Sequence, residues 1–255
     1  MKIATFNVNS IRKRMPIVVE WIQKNKPDVM CLQETKVEDA HFPLEPLQSL
    51  GYHVTFRGMK AYNGVATLSL EKPSKVIYGL EEGPDSEDFR IIQTVIQGIT
   101  IFNTYIPQGY LIDSPKYQYK LTWFKRLKKV FEERLSPNKP VIWLGDMNVA
   151  PSPLDVHHPE RHKKHVCYHE LAQQAYADVL SWGFVDSFRS LYPDRVQYTF
   201  WDFFSNSFAN NRGWRIDHIM ITKPLVERLK SVEVDLIPRE APTPSDHTVV
   251  CAEFS

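Results

Sequence analysis

The feature that most constrains this chain is a succession of short apolar runs rich in β-branched and aromatic residues. They read KIATFNV, DVMCLQ, HVTF, GVATLSL, IIQTVI, ITIFNTYI, PVIWLGD, YTFW, RIDHIMI, VEVDLI and TVVCAEF. Each is long enough for one strand and is bounded by turn residues, with 18 prolines scattered between them as punctuation. Helical spacing occurs in three places. Ile11, Met15, Val18, Val19 and Ile22 share one face after Ser10. Leu121, Phe124, Leu127, Val130 and Phe131 share another between Asp113 and Leu135. Leu171, Ala175 and Val179 repeat the pattern. Strands outnumber helices and no Gly/Ser-rich linker interrupts them. The expected fold is a mixed α/β domain over residues 1–255, with at least two sheets and helices outside.

Composition narrows the class. Hydrophobic residues make up 43% and charged residues 24%, which excludes disorder and fibrous repeats. No apolar run reaches the ~18–20 residues needed to span a bilayer, and MKIATFNVNS lacks a signal-peptide core. Cys31, Cys167 and Cys251 are too few and too widely spaced for a disulfide framework or zinc cluster. A reducing cytoplasm and no membrane partner are expected. The formal charge of +1 neither supports nor opposes a nucleic-acid substrate, so any phosphate binding must come from local clusters.

The chemistry lies where the apolar runs stop. KIATF ends in Asn7-Val8-Asn9, VMCLQ in Glu34, ITIFNT in Tyr105-Ile106-Pro107-Gln108, and VIWLG in Asp146-Met147-Asn148. Asp217 sits inside RIDHIMI, and Ser245-Asp246-His247 precedes the last run. One Asp or Asn after a strand is ordinarily a turn former or helix cap, and Asn9 or Ser10 could cap the helix beginning near Ile11. That explanation does not cover Glu34, Tyr105 and the Asp246-His247 pair together. Carboxylates at the rim of a core need counter-charge, and a hard divalent cation such as Mg²⁺ suits carboxylate, amide and water ligands.

The segments FNVNSIR, LQETK, NTYIPQG, GDMNVAP, NRGWRIDHI and PSDH occur in this order. With HFPLEPLQSLGYHV and LSWGFVDSFR they make the chain resemble the bacterial exonuclease III branch of the apurinic/apyrimidinic endonucleases, within the endonuclease/exonuclease/phosphatase superfamily. The resemblance runs from Lys2 to about Phe254. It implies a four-layer αββα sandwich and Mg²⁺-dependent hydrolysis of DNA phosphodiesters, with Mn²⁺ as a possible substitute. The implied activities are incision 5′ to abasic sites, 3′→5′ exonuclease action and cleaning of blocked 3′ ends, by direct attack of water.

Residue by residue, the resemblance implies catalytic roles for Tyr105, Asp146, Asn148, Asp217 and His247. It implies a metal set drawn from Asn7, Glu34, Asp146, Asn148, Asp246 and His247. Asp146 orients or deprotonates the attacking water, Asp217 pairs with His247, and His247 meets the scissile phosphate. Asn9, Arg12, Tyr62, Asn63, Gln108 and Arg212 match DNA-contacting segments. Phe200, Trp201, Trp214 and Ile216 match the pocket for a flipped-out abasic sugar, although core packing is the competing explanation. The basic residues Lys120, Lys125, Arg126, Lys128 and Lys129 read as a solvated helix face.

Three departures stand out. DVHHPERHKKHV carries His157, His158, His162 and His165, with His162 and His165 where relatives often have Asn. These histidines could make a transition-metal site, but the reading favoured is an exposed, basic, DNA-facing loop. WDFF replaces the frequent WDYR, and the segment after Gln108 lacks a basic wedge. Partners implied are double-stranded DNA with abasic sites or blocked 3′ ends, with monomer the default state. The alternatives are another superfamily phosphodiesterase or phosphatase without abasic preference, and a DNA-binding relative with a weak or dead site.

Overall fold

The computed structural model describes residues 1–80 and 88–255. Among the described residues, twelve strands form two six-stranded mixed sheets. The first contains β1 (Lys2–Asn7), β2 (Val29–Gln33), β3 (His53–Arg57), β4 (Val65–Ser69), β11 (Leu229–Asp235) and β12 (Val249–Phe254), in the order β11-β12-β1-β2-β4-β3. The second contains β5 (Lys75–Tyr78), β6 (Ile91–Ile96), β7 (Ile99–Tyr105), β8 (Val141–Asp146), β9 (Phe184–Asp186) and β10 (Asp217–Thr222), in the order β5-β6-β7-β8-β10-β9.

Each sheet has one parallel pair at its centre, β1 with β2 and β7 with β8. Parallel neighbours need a crossover, and a helix supplies it in both cases. These helices are α1 (Ile11–Asn25) and, after the short α2 (Glu45–Gln48), α3 (Pro115–Arg134); α4 (Glu170–Leu180) packs beside α3. The sheets stack face to face with helices outside, which is the αββα sandwich expected from the resemblance.

Side-chain alternation builds the layers. Ile3, Val29, Cys31, Ile101, Ile142, Leu144, Ile219 and Ile221 fill the space between the sheets. Ala4, Phe6, Met30 and Leu32 face the other way, onto α1 through Ile11, Met15, Val18 and Ile22. Phe102, Trp143 and Met220 face the aromatic layer of α3 and α4, where Phe131 lies 5.9 Å from Trp143 and 5.0 Å from Phe184, centroid to centroid.

Some local expectations change. YTFW is not a strand of either sheet; Phe200 forms isolated bridges to Trp214 and His247. The short β5 and β9 are additional strands. The buried face of α4 is Ala172, Tyr176 and Val179, while Leu171 is exposed. Lys120 is not solvated. It is fully buried, and its ammonium donates to the carbonyls of Asn148 (2.7 Å), Val166 (2.8 Å) and Gln108 (3.2 Å), joining three loops. No helix among the described residues is long and apolar enough to cross a membrane.

Towards one end of the sandwich the inter-sheet layer becomes polar. Gln33 Nε2 on one sheet donates to Asn103 Oδ1 on the other at 2.7 Å and to Thr5 Oγ1 at 3.0 Å, and Asn103 Nδ2 donates to the Ala66 carbonyl at 2.8 Å. Buried amides are tolerated only when paired in this way. One or two residues further along lies the candidate site: Glu34 follows Gln33, and Asn7 and Tyr105 lie two positions beyond Thr5 and Asn103.

Candidate active site

Strand register aligns the site. Tyr105 pairs with Asp146 across β7 and β8, and Asp146 pairs with Asp217 across β8 and β10, so three functional side chains stand in one row at the end of the second sheet. The first sheet contributes Asn7 at the end of β1 and Glu34 just after β2. Gly145, beside Asp146, makes this approach possible. Its φ is +130°, and a Cβ there would lie 2.0 Å from the Thr104 carbonyl oxygen.

Asn7 connects the two sheets' carboxylates, its Nδ2 donating to Glu34 Oε1 and to Asp146 Oδ2, both at 2.9 Å. Lys36 Nζ lies 2.7 Å from Glu34 Oε2 and donates to Asn9 Oδ1 at 2.6 Å, while Asn9 Nδ2 donates to Asp246 Oδ1 at 2.9 Å. Asn9 therefore belongs to the polar network. Ser10 occupies the N-cap position of α1 with φ of 92° and no side-chain capping bond, so neither residue caps the helix by its side chain.

Asp146 Oδ1 accepts from the Asn148 backbone N–H at 2.9 Å. Asn148 has φ of 50°, so a turn, rather than an extended D-x-N segment, brings the two together. Its Nδ2 donates to the Ile106 carbonyl at 2.9 Å, and its Oδ1 accepts from the Cys167 thiol at 3.6 Å. Glu34 (φ 52°), Asn9 (42°) and Asn63 (48°) are also left-handed; for Glu34 this backbone conformation is uncommon and of the kind concentrated at functional sites.

His247 Nδ1 lies 2.8 Å from Asp217 Oδ2 and its Nε2 lies 3.7 Å from Asp146 Oδ2. Thr199 Oγ1 donates to the same Asp217 oxygen at 2.7 Å. Burial opposes a charge on His247, but Asp217 and then Asp146 outweigh it and push its pKa up to about 10. Burial, opposed by His247 and reinforced by Asp217 and Glu34, raises Asp146 to about 7. The Tyr105 phenol is held well above its ordinary value by burial and by the carboxylates of Glu34 and Asp146, so it remains a donor at neutral pH. The Arg90 guanidinium stacks 4.8 Å from the Tyr105 ring.

Ligand atoms of Glu34, Asp146 and His247 lie within 4.8 Å of one another. Asn7 bridges the two carboxylates, Lys36 pairs with Glu34 alone, and Asp146 is still pushed towards protonation by burial and by Asp217 and Glu34 despite His247. A divalent cation between Glu34 and Asp146 would relieve that repulsion. The oxygen donors suit a hard ion.

A cavity of about 460 Å³ opens over this centre. Glu34, Tyr105, Gln108, Asp146, Asn148, Asp246 and His247 line one part, and Phe200, Trp214, Ile216 and Arg212 another. Asn7 and Asp217 lie beneath it, fully or almost fully buried. Trp201 is not in its wall. That indole is 1% exposed and packs edge-on to Phe208, with its Nε1 donating to Asn211, so the core explanation holds there. Arg12 and Tyr62 are exposed and lie outside the cavity wall, as does half-buried Asn63. The histidine loop is not simply exposed: His157, His162 and His165 line the cavity against Trp214, and His158 faces solvent.

Sequence reasoning missed the support behind the site. Asp155 is fully buried and accepts from Arg215 Nε at 2.7 Å and from Arg189; Arg215 also lies 2.8 Å from Asp186. His218, next to Asp217, lies 3.0 Å from the Val149 carbonyl through Nε2. These groups bind the Met147–Asp155 loop to the start of β10. The only signal in sequence is an unusual density of charge in GWRIDH.

The endonuclease/exonuclease/phosphatase family pattern matches residues 4–247. The chain is 34% identical to exodeoxyribonuclease III of Haemophilus influenzae, with the whole of both chains aligned. An AP endonuclease structure from Archaeoglobus fulgidus is 48% identical, with a TM-score of 0.97, covering 100% of this chain and 99% of that one. A 3′ phosphatase from Neisseria, solved with a product DNA hairpin, is 37% identical, with a TM-score of 0.95 and the same coverage. Fold, site geometry and full-length similarity agree: the chain belongs to the endonuclease/exonuclease/phosphatase family.

Proposed function

We propose that this protein is a metal-dependent DNA repair nuclease. It hydrolyses the phosphodiester 5′ to abasic sites in double-stranded DNA, and it trims and cleans 3′ ends as an exonuclease and 3′ phosphatase. The observation that carries this reading is the meeting of Glu34, Asp146 and His247, with ligand atoms within 4.8 Å of one another, in the lining of a cavity with an aromatic wall. The names and activities of its relatives support it.

Glu34, with Asn7 and Asp146 beside it, would hold a cation, for which Mg²⁺ is the natural occupant and Mn²⁺ a substitute. There a bound ion would supply charge neutralisation for the phosphate and for the departing 3′ oxygen. The protein's own groups do the rest. Asp146, fixed by Asn7 and the Asn148 N–H, accepts a proton from water attacking phosphorus. The His247 imidazolium, held by Asp217, donates through Nε2 to a phosphate oxygen and offsets charge that grows in the transition state. Tyr105 donates its phenolic hydrogen beside it. Asp246 and Asn9 form the outer polar rim, and Gln108, Arg212, Arg12, Tyr62 and Asn63 hold the DNA backbone. Phe200, Trp214 and Ile216 receive the extruded sugar. The chain acts as a monomer in the cytoplasm.

Incision of an end-labelled abasic duplex tests this. Mg²⁺-dependent cleavage is expected to stop with EDTA and to fall by at least ~100-fold in Glu34→Gln and Asp146→Asn. Unchanged incision in either variant, or equal cleavage of intact duplex at internal positions, would overturn the assignment.

A further inference from the structure

The four histidines between His157 and His165 have no part in the chemistry above, yet the structure gathers two of them closely. His157 Nε2 and His162 Nε2 lie 3.3 Å apart. The tight turn Pro159–Arg161 folds the chain back so that the rings meet, with centroids 4.7 Å apart. His157 Nδ1 lies 3.2 Å from the Gly213 carbonyl. A carbonyl only accepts, so Nδ1 carries the proton and the Nε2 lone pair is directed at His162.

Two nitrogens bound at 2.0–2.1 Å to one tetrahedral ion are separated by about 3.3–3.4 Å, the spacing seen here. The carbonyl contact is the outer-shell support that metal-binding imidazoles ordinarily have. Both rings line the cavity, against Trp214. Burial lowers the pKa of each, so both are uncharged and available at neutral pH.

We propose that His157 and His162 form a second cation site, separate from the Glu34–Asp146–His247 centre, for a divalent ion that favours imidazole, such as Zn²⁺. Binding requires no ionisation, only a shift of the His162 proton from Nε2 to Nδ1. Two of the four tetrahedral positions are left for water or for an anionic oxygen of a bound ligand. The loaded site cross-links the two ends of the histidine loop beside Trp214, against which both rings pack.

Metal binding itself is the test, and it does not depend on nuclease activity. Zn²⁺ uptake by the full-length protein is measured by equilibrium dialysis for wild type, Glu34→Gln, His162→Gln and the His157→Gln/His162→Gln double variant, with circular dichroism to verify folding. Cu²⁺ quenching of tryptophan fluorescence, compared with Trp214→Phe, reports location. The proposal expects Glu34→Gln to retain a Zn²⁺ site that weakens at least ~10-fold in His162→Gln and is lost in the double variant. It also expects a quenched component that disappears with either Trp214→Phe or the double variant. Equal Zn²⁺ affinity and stoichiometry in wild type and the folded double variant would overturn it, as would absence of Zn²⁺ uptake by Glu34→Gln or of Trp214 quenching.

Discussion

Asp217→Asn isolates what the buried aspartate does for His247. The amide is nearly isosteric, and its oxygen can still accept the Thr199 hydroxyl that lies 2.7 Å from Asp217 Oδ2. What is lost is the negative charge 2.8 Å from His247 Nδ1. Asp146, at 3.7 Å from Nε2, remains and retains part of the effect. An opposite charge at such range is worth ~1–3 pKa units, so the imidazolium pKa should fall from about 10 to about 7–9. In wild type the protonated form prevails at every pH below about 10, and activity that depends on it declines only as pH rises through that value. In the variant the same decline moves into the measurable range. With a midpoint near ~8, only ~10% of the molecules carry the imidazolium at about pH 9, giving a ~10-fold loss relative to wild type there, while the ratio to wild type returns to near one at about pH 6, where protonation of Asp146 lowers both rates. Single-turnover incision of a labelled abasic duplex, followed from about pH 6 to 9.5 with Mg²⁺ in excess, makes the comparison. A profile parallel to wild type, merely lowered by a constant factor, would refute the protonation argument. The same raised pKa contributes stability that is complete below about 6.5 and is lost as pH rises through about 10, so Asp217→Asn should also flatten the alkaline side of the stability curve.

Two further changes probe the scaffold. Asp155→Asn leaves Arg215, which is 1% exposed, short of a carboxylate, and should cost about 3–5 kcal/mol in urea unfolding. Burial alone would raise Asp155 and Asp186, but Arg215 outweighs it and holds both below the usual carboxylate range. Their contribution is therefore present above about pH 4 and lost as pH falls further, and acid unfolding of wild type should lose this component in the variant. Lys120→Met strands three loop carbonyls, one of them the carbonyl of Asn148, at a total cost of about 3 kcal/mol or more. Incision should fall with it, in kcat more than in KM, because the Asn148 turn that holds Asp146 loses its anchor.

Much of the site was legible because strands end where apolar residues stop. Asn7, Tyr105 and Asp146 were found at the ends of such runs, and pairing of three adjacent strands then aligned Tyr105, Asp146 and Asp217. Glu34 could be named, but not its left-handed backbone, since nothing in LQETK marks that turn. Asn148 could be named from GDMN, but not the left-handed turn that brings its N–H onto Asp146. Lys120 was misread because a lysine in a charged helix reads as solvated, whereas its partners come from loops 12 to 46 positions away. Asp155 and Arg215 meet across 60 positions, a pairing that single-sequence periodicity does not encode. Trp201 and Trp214 were alike as aromatic residues beside a motif. Only their packing separates the core indole from the cavity wall.

The Gln33–Asn103 bond is a spacer between two halves that each own part of one machine. Glu34 rides on one half and Asp146 on the other, so their separation is set by how the halves are shimmed apart. Slippage of a fraction of an ångström there would detune hydrolysis while every visible surface stayed the same. Variation in catalytic power among proteins built on this plan can thus originate in a buried amide pair that no substrate ever reaches.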